Sequence, residues 1–116
     1  MPLLRLLCIC IILTSGGGAF ACGFLKKSEP KVGEELTKSP PAVTIWLSEK
    51  IDASKSWIKV ADAKGQQVNS ESSALDKTSM STKLPPLAKG TYKVTWHMTA
   101  LDCGHVTEKS FKFTVK

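Results

Sequence analysis

Four consecutive residues near the end of the chain, Asp102-Cys103-Gly104-His105, place a carboxylate, a thiol and an imidazole within one turn's length. A thiol beside an imidazole can act as a nucleophile with its base. Close sequence neighbours rarely present that geometry, however, and no other catalytic signature accompanies them. The chain has no Gly-x-Ser-x-Gly elbow, no phosphate-binding loop and no His-Glu-x-x-His, so it is read as a protein that does no covalent chemistry. The other histidine, His97, alternates onto the solvent side of a strand-like segment and reads as a surface residue. Met80 and Met98 carry soft thioether sulfur, but two separated methionines do not make a metal cluster. Met98 falls on an apolar face and reads as core, whereas Met80 lies in a Ser-rich stretch and is the more open of the two. Three further cysteines stand at Cys8, Cys10 and Cys22.

The chain has 116 residues and 12.6 kDa, enough for one small domain. With 22% charged and 42% hydrophobic residues, its composition is that of a globular protein rather than a disordered or coiled-coil one. The net charge is +6, yet every basic residue after Arg5 is a lysine, and the lysines alternate along strand-like segments as solvated faces do. Nucleic-acid binders lean on arginine forks and clustered basic residues, so nucleic acid is not an expected partner.

The elements that must position the turn read as β-strands. Val43, Ile45 and Leu47 share one face of a first segment, and Ile58 and Val60 share one face of Trp57–Asp62. Tyr92, Val94, Trp96 and Met98 alternate with Thr91, Lys93, Thr95 and His97, and Phe111, Phe113 and Val115 repeat the pattern at the end. Period-two alternation marks half-buried antiparallel strands. Ser39-Pro40-Pro41, Asp62-Ala63-Lys64-Gly65 and Pro85-Pro86 through Gly90 supply turn chemistry between them. The polar stretch Asn69–Ser81 reads as a loop or a weak edge strand. The spacing predicts an all-β, two-sheet Greek-key sandwich, with its tryptophans and phenylalanines largely in the core.

The first 21 residues read as an export signal. Arg5 precedes the apolar run Leu6–Leu13, Ser15 to Gly18 breaks the helix, and Ala19-Phe20-Ala21 offers small residues where a signal peptidase reads them. Cleavage would leave residues 22–116 as a domain in an oxidising, exported compartment. Cys22 also occupies the place of a lipidated cysteine, although Phe20 is bulky for a lipoprotein signal. Membrane attachment is expected only if Cys22 is lipidated.

Beyond that point the chain resembles the CopC-type copper-resistance proteins. The resemblance is carried by Gly23-Phe24-Leu25-Lys26-Lys27-Ser28-Glu29-Pro30, by Pro41 to Glu49, by Val60 to Gly65, by Leu87-Ala88-Lys89-Gly90-Thr91-Tyr92-Lys93-Val94-Thr95-Trp96, and by Ser110 to Val115. Asp102 stands six residues after Trp96, as the family's ligand aspartate does. The resemblance implies an immunoglobulin-like, cupredoxin-like β-sandwich in the periplasm that sequesters or passes on copper, with an inner-membrane copper transporter as a candidate partner. It also implies Cu(II) held by an N-terminal histidine, its free amine and an Asp-x-His motif, a nitrogen-and-oxygen set that suits this ion.

Two departures from the family pattern each introduce a cysteine. Cys22 stands where the family has its N-terminal histidine, and Asp102-Cys103-Gly104-His105 has one extra residue between carboxylate and imidazole. In a strand, residues three apart point to opposite faces, so a bulge at Gly104 is expected to let Asp102 and His105 converge. If the family fold holds, Cys22 and Cys103 lie close together, and three readings stay open. The two can form a disulfide, worth roughly 4.5 kcal/mol on the chain-entropy model. They can act as thiolates that join His105 in a softer site for Cu(I) or zinc, with Asp102 nearby. Or Cys22 is lipidated and Cys103 is free. The rival to a copper module is thus a structural or interaction domain in which a Cys22–Cys103 disulfide replaces the metal site and the sandwich docks to a membrane partner.

Overall fold

The computed structural model describes residues 25–116. Two four-stranded sheets face each other. The first runs β1 (Leu25–Glu29), β3 (Ala42–Leu47), β6 (Ser79–Lys83), β5 (Ser72–Ala74), all antiparallel. The second runs β2 (Glu35–Leu36), β8 (Val106–Val115), β7 (Gly90–Thr99), β4 (Trp57–Ala61), antiparallel except for the short β2–β8 pair. The chain crosses between sheets after β1, β2, β3, β4 and β6, giving the all-β Greek-key sandwich that the alternation predicts, with the immunoglobulin-like form that the resemblance implies.

The core is where the period-two pattern puts it. Val43, Ile45 and Leu47 of β3 meet Ile58 and Val60 of β4, Tyr92, Val94, Trp96 and Met98 of β7, and Phe111, Phe113 and Val115 of β8. Trp96 is 1% exposed, and burying a side chain of that size is among the largest single contributions a small core receives. Tyr92 stacks on Phe113 with ring centroids 5.5 Å apart, and its hydroxyl donates to the Ala88 carbonyl at 2.6 Å, so its one polar atom reaches the rim.

Three expectations need correcting. Met80 is not open: it lies 2% exposed in the core on β6, an interior strand between β3 and β5 rather than a loop or edge. Of its polar neighbours on β6, Ser81 Oγ lies 3.0 Å from Thr44 Oγ1 and Thr82 Oγ1 is bonded on both sides, whereas the buried Ser79 hydroxyl has no partner among the described residues. Asn69 lies across the outer edge of β4, where its Oδ1 accepts from Val60 N–H at 2.8 Å and its Nδ2 donates to the Ile58 carbonyl and to Thr82 Oγ1. One buried amide thus replaces a missing strand partner and ties the two sheets together. Finally, only Trp96 of the three tryptophans is core. Trp46 is half-buried on the outer face beneath the Lys27 ammonium, 4.7 Å from its ring centre, and Trp57 is 39% exposed. Phe24 lies outside the described residues.

Candidate metal centre

The turn between β7 and β8 is built on an unbroken ladder. Every residue from Gly90 to Thr99 pairs with one from Val115 to Val106. The turn closes when Ala100 N–H donates to the His105 carbonyl and Gly104 N–H donates to the Ala100 carbonyl, both at 2.9 Å. Gly104 has φ +67°, the left-handed conformation in which a side chain is strained. The extra residue between Asp102 and His105 is therefore taken up in the turn and not in a strand. The expected bulge is absent from the β7–β8 pairing, because a hairpin can lengthen its loop without disturbing the ladder.

The base of the turn is fixed from both sides. Leu101 N–H donates to the Lys50 carbonyl, Asp52 N–H to the Thr99 carbonyl, and Thr99 N–H to Ser56 Oγ. Ser54 caps the Asp52 carboxylate through its hydroxyl and its N–H. The hydroxyl bond is the main reason that this carboxyl is held below its ordinary value. Ala100 is buried at the turn's root, whereas Asp102, Cys103 and His105 are all exposed. None of the three side chains bonds to another described residue, so the fold holds the backbone of the turn and leaves its donors to solvent.

The same end of the sandwich receives the start of β1. Leu25 pairs with Leu47, Leu47 N–H donates to the Thr78 carbonyl, and Ile51 N–H donates to the Lys77 carbonyl. Ile51 in turn bridges Ala100. The entry to β1, the β5–β6 turn and the β7–β8 turn therefore share one pole. Of the four donors expected from the sequence, three occupy one exposed turn there. Cys22 lies outside the described residues, as do the expected cleavage point and the pairing of Cys22 with Cys103. Cys103 has a free thiol among the described residues. Also among the described residues, no three His, Cys, Asp or Glu side chains are gathered closely enough to hold a metal ion.

Sequence reasoning missed one constellation. His97 Nδ1 lies 2.9 Å from Glu108 Oε1, and its ring stacks on Trp57 with centroids 5.1 Å apart and planes 6° from parallel. The three form one cross-strand row on the outer face of the second sheet, since His97 pairs with both Trp57 and Glu108. Register could have shown this row, but only once the pairing of β4 with β7 was known.

A CopC domain model matches residues 25–116. The Escherichia coli K12 protein YobA is 28% identical over 101 residues, covering 84% of this chain and 81% of the relative. The copper transport protein CutJ of Bacillus subtilis is also 28% identical over 101 residues, but these make up only 18% of that protein. The crystal structure of CopC from Methylosinus trichosporium OB3b superposes with a TM-score of 0.76 at 25% identity, covering 81% of this chain and 93% of that one. PcoC, a methionine-rich copper resistance protein from Escherichia coli, superposes at 0.69 and 25% identity, covering 83% and 100%. With the family model spanning the whole described sandwich and the fold shared with two solved members, the chain belongs to the CopC domain family.

Proposed function

We propose that this protein is an exported, periplasmic copper-binding domain that sequesters copper or passes it on, with copper as cargo and no catalysis. Residues 1–21 act as the export signal, and the mature chain begins at Cys22. Asp102 and His105 are the retained donors, and Cys22 and Cys103 are the altered ones. The observation that carries this reading is the placement of Asp102, Cys103 and His105 together in an exposed turn at the pole where β1 begins. Cys22 precedes Leu25, the first residue of β1, by three residues, a span of at most about 11 Å, and this short tether supports a role for its sulfur and amine at that pole. Two thiolates and an imidazole form a softer set than the amine, imidazole and carboxylate of the family pattern, and softness favours Cu(I) over Cu(II). The recipient on this reading is a copper transporter of the inner membrane.

A second reading is supported by one observation, the exposed Cys103 with its thiol free among the described residues. On that reading a Cys22–Cys103 disulfide closes the pole and the domain is an interaction module. One experiment separates the two. Free thiols of the mature protein are counted by mass, and Cu(I) and Cu(II) are then titrated against competing chelators. Two free thiols and one equivalent of Cu(I), lost in Cys22→Ser, support the copper module. A quantitative disulfide without copper uptake refutes it.

A further inference from the structure

The outer face of the second sheet carries charge that the fold does not balance. Lys93 of β7 sits directly opposite Lys112 of β8, an arrangement in which like charges destabilise a strand pair. Lys59 of β4 lies diagonal to Lys93, since it pairs with Thr95. Among the described residues none of these three lysines has an ion-pair partner; the ion pairs present are Lys27–Glu29, His97–Glu108 and Lys116–Glu35. The nearby carboxylates are already engaged. Glu108 faces His97, and Asp62 accepts from the N–H groups of Lys64 and Gln66. Thr91, Thr95, Ser110 and Thr114 fill the rest of the face with hydroxyls, and a shallow groove of about 340 Å³ runs beside Lys93 and Lys112.

At the end nearest the β7–β8 turn this lysine face gives way to apolar residues. Trp57 and Val106 belong to the same outer face, 39% and 53% exposed, and Leu101 projects from the adjoining turn at 56%. Flexible ammonium groups on a flat, hydroxyl-bearing sheet, next to an exposed tryptophan and two aliphatic side chains, match the layering of an anionic lipid surface. Phosphate headgroups meet the lysines, and the interfacial zone takes the indole and the aliphatic tips. A lysine contributes here as a mobile point charge, which suits a fluid array of headgroups better than a fixed bidentate site.

We propose that Lys59, Lys93 and Lys112, with Trp57, Val106 and Leu101, form a face that docks reversibly onto an anionic membrane surface. Docking in this pose lays the Asp102–His105 turn beside the lipid. The inference is independent of what that turn binds. It is tested with the mature protein, residues 22–116, in flotation with vesicles of phosphatidylcholine containing one-quarter phosphatidylglycerol, against pure phosphatidylcholine. The triple variant Lys59→Glu, Lys93→Glu, Lys112→Glu is compared with the parent at equal thermal midpoint. Both proteins lack the apolar run Leu6–Leu13, so that segment anchors neither to the vesicles. The parent is expected to bind the anionic vesicles at least ten-fold better than the variant, and to lose that advantage in 0.5 M salt as screening shortens. Trp57→Ala is expected to bind severalfold more weakly than the parent, with Trp57 fluorescence shifting to the blue on parent binding. Equal binding of parent and triple variant would overturn the proposal. So would retention of the parent, but not the variant, on immobilised polyglutamate with neither binding vesicles, which would assign the face to an acidic protein.

Discussion

Two turns of the second sheet use an aspartate in opposite ways. At Asp62–Gly65, the carboxylate of Asp62 accepts from Lys64 N–H at 2.9 Å and Gln66 N–H at 3.0 Å, and Gly65 N–H donates back to the Asp62 carbonyl. That side chain satisfies the turn that contains it. At Ala100–His105, backbone groups alone close the turn, and Asp102, Cys103 and His105 stand exposed without a described partner. Both turns place a glycine in the left-handed region, Gly65 at +84° and Gly104 at +67°. The backbone solutions are thus alike, and the difference lies in what the side chains are free to do. A donor already engaged by its own fold has little left for a ligand, whereas the second turn keeps three in reserve.

The largest expected contrast is in copper affinity. His105→Ala is expected to weaken copper binding by about 100-fold, since even outer-sphere partners of a metal ligand carry about 10- to 100-fold, with little change in thermal midpoint. Competitive titration beside a melting curve reads both effects. Asp62→Ala is expected to do the reverse, costing about 1 kcal/mol of stability through its lost hydrogen bonds and leaving copper affinity unchanged. A loss of copper binding in Asp62→Ala would erase the contrast. Gly65→Ala and Gly104→Ala sharpen it. An added Cβ meets nothing within 4 Å at either position, so each substitution costs about 1 kcal/mol through conformation alone, measurable in denaturant, yet only the change at Gly104 is expected to alter copper affinity as well. The smallest effect concerns the β5–β6 turn, where the Thr78 N–H, as the leading cause, holds the Asp76 carboxyl below its ordinary value of 3.8. A lowered folded-state pKa adds stability that is complete above that value and is lost as pH falls through the folded one. Asp76→Asn is therefore expected to flatten stability against pH below about pH 4, without affecting copper.

Half the strands were legible because their burial follows the alternation. Strands β3, β4, β7 and β8 each show an apolar face every second residue, and that face is the core. The remaining four hide for physical reasons. In β1 the buried inner residue is Ser28, β2 is two residues long, and β5 and β6 are mostly serine and threonine. The burial of Thr82 in β6 depends on Asn69 and the Glu71 carbonyl satisfying its hydroxyl, a long-range contact that no local pattern announces. Trp46 and Trp57 misled for the opposite reason, since their outward register places large apolar groups on the sheets' outer faces. The site turn was legible as residues but not as geometry. Its four-residue run names the donors, while the turn that absorbs the extra residue is set by the pairing of Thr99 with Val106.

On the proposed function, the β7–β8 turn and the chain's front end together hold the metal. X-ray absorption at the copper edge of the Cu(I)-loaded protein reads the donor atoms directly. It is expected to show sulfur and imidazole scattering, with the imidazole contribution removed by His105→Ala and the sulfur contribution diminished by Cys103→Ser. Copper held with an unchanged spectrum in both variants would contradict the account and place the ligands elsewhere in the molecule.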